Sequence, residues 1–132
     1  FTIEREWKLG DIVEIYFDMP VIAHKLEHNI AFTRGPVLLA RDSRFGDGDF
    51  TEPFRQGIKD GQRMTGFSDV RTPSGDIWMA FSATLPIGSH HENPEGRLPS
   101  TVFFCDYASA GNTWQRDNYY RTWFPEEYGP TE

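Results

Sequence analysis

NIAFTRGPVLLARD, residues 29–42, holds the one near-continuous apolar run of the chain, Pro36 to Ala40, and a Gly-Pro step that fixes where the run begins. Val37, Leu38, Leu39 and Ala40 in succession would make a strand apolar on both faces, with no polar side to offer water. Such a strand belongs in the middle of a sheet, covered above and below. Gly35 and Pro36 separate it from a second strand-like piece, Ile30 to Thr33, and read as a kink or bulge that does not reverse the chain.

Shorter, more polar strands surround this stretch. Phe1, Ile3 and Trp7 alternate with Thr2, Glu4 and Glu6, Lys8 to Asp11 is a turn, and Val13, Ile15 and Phe17 alternate again, so residues 1–18 predict a hairpin ended by Met19-Pro20. Val21 to His24 predicts a short strand. Residues 43–53 are rich in Gly and Asp and form the longest loop-like region, with room for one helical turn. Arg63 to Val70 and Ile77 to Leu85 flank a Pro-Ser-Gly turn, and in the second of them Ile77, Met79, Phe81, Ala83 and Leu85 share a face. Thr101 to Tyr107 is a second central strand, and Asn118 to Phe124 closes the sheet. No segment offers ten residues at helical spacing. The expectation is a single all-β domain, an antiparallel, jelly-roll-like β-sandwich of seven or eight strands over residues 1–125, followed by an acidic C-terminal tail, 126–132.

Composition agrees and excludes several functions. With 132 residues the chain can bury roughly 65–70% of its unfolded surface and needs no staples. Aromatic residues make up 15% of it, the balance of a β-rich protein. A formal net charge of −7 repels a phosphate backbone, so no nucleic-acid partner is expected. No apolar run approaches the ~20 residues of a spanning helix, so no membrane insertion is expected either. The single Cys105 forms no internal disulfide and excludes a multi-cysteine zinc site within the chain. The alternating pattern is already under way at Phe1, with no initiator Met and no signal segment, which reads as part of something longer.

Four stretches in order carry a resemblance. Ile3-Glu4-Arg5-Glu6-Trp7 with Gly10-Asp11 and Met19-Pro20, then Arg34 to Asp42 (RGPVLLARD), Asp106 to Gly111 (DYASAG), and Tyr120 to Pro125 (YRTWFP) resemble the β-sandwich region of the β-L-arabinofuranosidase-type glycoside hydrolases, large and mostly bacterial proteins. The resemblance spans nearly the whole chain. It implies a non-catalytic accessory domain that packs on a preceding (α/α)6 barrel, where cysteines and a glutamate hold zinc and one cysteine is the nucleophile. None of that constellation maps here, and Cys105 matches no part of it, so no catalytic and no cofactor-binding residue is carried over. The implied partners are the barrel of the parent chain and a plant or glycoprotein glycan, and a parent acting on extracellular glycans would place it in the periplasm or outside the cell.

Candidate sites each have a plainer reading. Asp42, Asp47, Asp49 and Glu52 lie in one Gly-containing loop, where carboxylates and carbonyls could hold a structural calcium, although the spacing is not that of an EF-hand and acidic loops are more often solvated turns. Glu4, Glu6, Glu14 and Asp18 read as solvated charge, not as a glycosidase pair. His90-His91-Glu92 reads as a surface loop before it reads as a metal site. Trp114, Tyr119, Tyr120 and Trp123 supply aromatic surface for docking on the barrel, or, alternatively, a stacking platform for sugar in an independent carbohydrate-binding module. Arg5 and Arg34, each on an apolar face, should pair with a buried carboxylate rather than contact a ligand, Asp106 being one candidate.

Overall fold

The computed structural model describes residues 1–48, 50–55, 57–89 and 91–126. Among them are nine strands: β1 (Val21–Leu26), β2 (Asn29–Arg34), β3 (Val37–Asp42), β4 (Arg63–Met64), β5 (Ser68–Asp69), β6 (Ala80–Pro86), β7 (Pro99–Asp106), β8 (Tyr120–Arg121) and β9 (Phe124–Pro125). A single 3-10 turn, Ser43–Phe45, follows β3. The fold is all-β and antiparallel, as expected. Its seven-strand path runs β4-β1-β2-β3-β7-β6-β5, which puts β3 in the middle and β7 beside it.

The connectivity dictates the shape. Both ends of the path, β4 and β5, come from one stretch of chain, and only residues 65–67 separate them. Seven strands laid flat would hold those ends about 29 Å apart, six spacings of ~4.8 Å. From Met64 to Ser68 the chain can reach only ~14 Å. The sheet therefore curls until its two arms face each other, a sandwich-like arrangement hinged on β3. Phe67, inside that crossover, packs at the seam against Phe32 of β2 and Phe104 of β7, with ring centroids 5.5 and 5.4 Å away. Between the arms lies the main core, to which Ala23, Phe32, Leu39, Phe81, Leu85, Val102 and Phe124 contribute.

β3 is covered on both faces. Leu39 joins the main core, while Ala40 faces a second, smaller cluster with Ile77 and Cys105. Its first residues pair with β2 (Thr33↔Leu38, Arg34↔Val37), the next with β7 (Leu39↔Asp106, Ala40↔Cys105) and the last with β8 (Arg41↔Arg121, Asp42↔Tyr120). β2 takes β9 at its other end (Asn29↔Pro125, Ile30↔Phe124). Where β2 and β3 splay, the segment from Tyr120 to Pro125 thus fills the gap.

Four expectations are corrected. Gly35-Pro36 does reverse the chain: Arg34 pairs with Val37 across it, so β2 and β3 form a hairpin. Gly35 sits at φ +55°, which a two-residue loop with Gly in its first central position requires, and the Pro that follows gives up an N–H the turn does not need. Residues 1–20 contain no strand. The turn Lys8–Asp11 forms, with the Asp11 N–H donating to the Lys8 carbonyl at 3.1 Å, yet the two flanks do not ladder and Ile3, Trp7, Ile12, Val13, Ile15 and Phe17 stay exposed. An isolated two-stranded ribbon is marginal without a surface to cover. The stretch Arg63 to Val70 is not one strand; Gly66 and Phe67 break it into β4 and β5 on opposite edges. Ile77 and Met79 leave the face they were expected to share with Phe81, Ala83 and Leu85, Ile77 for the smaller cluster and Met79 for the surface, because β6 begins only at Ala80.

The proposed acidic tail also begins differently. Glu126 is buried, its Oε1 accepting from the Ile58 N–H at 3.0 Å and its Oε2 pairing with Lys25 Nζ at 2.8 Å. Residues 127–132 lie outside the described residues.

In the β1–β2 turn the exposed Glu27 has φ +55°, a left-handed conformation that costs a residue with a Cβ about 1–2 kcal/mol. Glycine removes that strain and adds about 0.4–1 kcal/mol of unfolded-state entropy. Glu27→Gly is expected to stabilise the protein by about 0.5–1 kcal/mol, read as a higher urea midpoint at unchanged slope.

Candidate functional site

The last residues of β3 meet the loop that follows β7, and a buried carboxylate ties them together. Asp42 is fully buried. Its Oδ1 accepts from the backbone N–H and Nε of Arg44 and from Asn118 Nδ2, all at 2.9 Å, and its Oδ2 from Arg44 Nη2 at 3.0 Å and the Gly111 N–H at 2.8 Å. Arg44 spends its remaining donors on Asn112 Oδ1 and the Ser109 carbonyl. Burial pushes the Asp42 carboxyl up. The hydrogen bonds from Arg44 and Gly111, with the Arg44 charge, more than reverse that and hold it below the usual carboxylate range. Gly111 itself admits no side chain: at φ +65° its added Cβ would lie 2.6 Å from the Tyr120 ring.

A second carboxylate works four residues after the centre of β7. Asp106 Oδ2 accepts from the Ser109 N–H and hydroxyl at 3.1 and 2.9 Å, and its Oδ1 from the Met79 N–H at 3.1 Å. The Ser109 hydroxyl oxygen in turn accepts from the Trp78 N–H at 3.0 Å. Asp106 and Ser109 are both buried, so this pair pins the backbone of residues 78 and 79 from inside. Outside, the Trp78 ring stands 79% exposed.

Two open depressions meet at Trp78 and Met79. One, about 240 Å³, is bordered by Arg34, Asp69 and Thr72 and floored by Phe81. The other, about 380 Å³, is bordered by Pro36, Leu38 and Tyr107. Arg34 lies 5.0 Å over the Phe81 ring and 3.8 Å from Asp69. Asp69, not Asp106, is therefore the partner of Arg34, and Arg5 pairs with Asp11 at 3.2 Å; neither carboxylate is buried, so the expected buried partners are replaced by surface ones. Trp78 had no motif to mark it, and its place opposite the buried positions of an alternating stretch reads as ordinary surface. The signal that was available is its size at a polar-face position.

Asp42, Asp47 and Glu52, the described carboxylates among the four considered for calcium, form no group that could hold a metal ion. Asp42 has both oxygens committed as above. Asp47 pairs with Arg41 at 3.3 Å, both buried, and its Oδ2 also accepts from the Phe103 N–H at 2.8 Å, while Asp47 Oδ1 and Arg41 Nε are buried without a partner. Glu52 is half-buried, and Asp49 lies outside the described residues. Among the described residues no three His, Cys, Asp or Glu side chains form a group that could hold a metal ion. Glu4, Glu6, Glu14 and Asp18 sit on the exposed arm, and of the His90-His91-Glu92 run, His90 is outside the described residues while Glu92 accepts from Ser89.

The four aromatic candidates are not in ring contact with one another. Trp114 is 93% exposed on a turn with φ +57°. Tyr119 leans on Phe50, and Tyr120 meets Tyr107 edge-on at 6.0 Å while covering Gly111. Trp123 accepts from Arg121 through its carbonyl at 2.6 Å. No ring contact joins two of the four. No helix among the described residues is long and apolar enough to cross a membrane.

No protein-family model, no curated protein and no solved structure matches the chain.

Cys105 lies in the small core beside both carboxylates. Burial pushes its thiol up to about 12, and the charges of Asp42 and Asp106 push the same way. At pH 8 the native thiol is expected to react with a disulfide reagent only at the rate of global opening, with full reaction in denaturant; prompt labelling of the folded protein would contradict its placement. Asp42 has a pKa lowered by folding, so its contribution is present above the unfolded value near 3.9 and is lost as pH falls through the lower folded value. Chemical denaturation below about pH 4 is expected to show a stability drop that is shallower in Asp42→Asn, a variant less stable at pH 7 because Arg44 loses its carboxylate.

Proposed function

We propose that this chain is a non-catalytic β-sandwich accessory domain of a glycoside hydrolase, acting by docking on a catalytic barrel of the same parent protein. The observation that carries the reading is the arm of residues 1–18. It bears alternating large apolar side chains that stay largely exposed, Phe17 being 77% exposed. Exposed apolar surface on this scale is the mark of an interface. The four stretches that resemble the β-L-arabinofuranosidase-type enzymes support the same reading, because two of them, RGPVLLARD and DYASAG, meet at the Asp42–Gly111 hydrogen bond. Their acidic groups serve the fold: Asp42 and Asp106 are both saturated with donors from this chain.

Docking predicts protection. Trypsin is expected to cut the isolated chain readily after Arg5 and Lys8, and to cut far more slowly when the chain is produced together with the region encoded upstream of it. Equal cleavage in both would remove the docking interpretation. The isolated chain is further expected to show no turnover of aryl arabinosides or galactosides; turnover that disappears when one carboxylate is replaced would make it an enzyme instead.

A further inference from the structure

Trp78 combines two properties that seldom coincide: a side chain almost wholly in water and a backbone fixed from below. The Trp78 N–H is held by Ser109, the Met79 N–H by Asp106, and Asp106 holds Ser109 twice. A platform so pinned loses little backbone freedom when a ligand settles on it. The adjoining groups define what that ligand is. Arg34 and Asp69 stand side by side at the rim, donor fork next to acceptor, with Arg34 braced against Phe81. Adjacent hydroxyls that both donate and accept satisfy such a pair, whereas a carboxylate or phosphate competes with Asp69 and meets a chain of net charge −7. An extended peptide would need open strand edges. At the groove the Tyr107 N–H is already given to the Leu38 carbonyl and the Val70 N–H to Ala80, and the one open edge beside it is that of the two-residue β5. The depressions on both sides of Trp78 leave it open at two ends, so a ligand longer than one ring can pass across the indole.

We infer that the groove across Trp78 binds a neutral saccharide, the indole stacking on the apolar face of one sugar ring while Arg34 and Asp69 bind its hydroxyls. This site is separate from the docking arm, and either can exist without the other. It also differs from Trp114, Tyr119, Tyr120 and Trp123, none of which borders either depression.

The test is a nitrogen–proton correlation titration of the full chain with D-galactose, L-arabinose, D-xylose, cellotetraose and xylotetraose, with D-galacturonate as the charged comparison. Trp78→Ala assigns the Trp78 indole signal, and Trp78→Phe keeps a ring should the alanine variant lose its fold. For at least one neutral sugar the Trp78 indole is expected to shift and saturate with a Kd of the order of 1 mM, about 4 kcal/mol of binding. Trp78→Phe should weaken that several-fold, Arg34→Lys likewise, and Trp114→Ala should leave it unchanged. Absence of any Trp78 shift at about 50 mM of every neutral sugar overturns the proposal. So does a response confined to Trp114 and Trp123, a response to galacturonate alone, or an equal Trp78 shift with a neutral oligopeptide.

Discussion

The ring of Phe32 is where the two arms of the sheet are joined. Its centroid lies 5.8 Å from Phe54, 5.5 Å from Phe67, 5.7 Å from Phe104 and 6.2 Å from Phe124, rings supplied by the loop after β3, the crossover, β7 and β9. Edge-on and tilted pairs of this kind are worth about 0.5–1.5 kcal/mol each beyond the area they bury. More important than the sum is the connectivity. The short crossover between β4 and β5 forces the sheet to curl, and curling is tolerable only if the enclosed space is filled. Phe32 fills it from β2, its ring reaching Phe104 of the facing arm, and Phe67 does so from within the crossover itself. Closure and core are a single requirement met by the same side chains.

Outside that core the carboxylates do structural work. Asp42 and Asp106 lie at the ends of β3 and β7, where the strands stop providing backbone partners and loops begin. An uncovered N–H there would cost about 1–3 kcal/mol if buried. Asp42 answers with donors from Arg44, Gly111 and Asn118, and Asp106 with donors from Met79 and Ser109. Both therefore convert irregular chain into fixed chain. The Gly111–Tyr120 contact shows how tight the result is, since a single Cβ would collide with the ring.

The strands written as long apolar runs were legible in the sequence, because a run covered on two faces has few alternatives: Val37 to Ala40 falls where that rule puts it, and of Thr101 to Tyr107 all but Tyr107 lies in β7, with Thr101 and Tyr107 exposed at the ends of the run. What escaped was set by partners distant in sequence. Gly35-Pro36 fits a bulge or a turn equally well by residue type, and only the Arg34–Val37 pairing separates the two. The alternation of residues 1–17 records that a surface is to be covered but not which one covers it. Two-residue strands such as β4 and β8 carry no period at all, and depend on the neighbours that offer them an edge. Of the site, the acids were visible and their roles were not: Asp42, Asp47, Asp49 and Glu52 in one Gly-containing loop allowed an ion, whereas Arg44, Arg41 and backbone N–H groups reach Asp42 and Asp47 first.

Those internal commitments also narrow where chemistry directed outward can sit. A carboxylate saturated by fixed donors from its own chain is a poor ligand for anything else, so the groups left to meet a partner are those that keep unspent capacity at the surface. Trp78 is the largest of them with a fixed backbone, and Arg34 with Asp69 is the charged pair beside it. The arm has the apolar area but no strand ladder, and Trp114 is an exposed ring on a turn. Contact over area suits a partner domain, whereas a pinned ring beside a donor–acceptor pair suits a small polyhydroxylated ligand. The two kinds of surface lie on different parts of the chain because they ask for different things: an arm can adapt to what it covers, while a stacking platform works only if it is already in place.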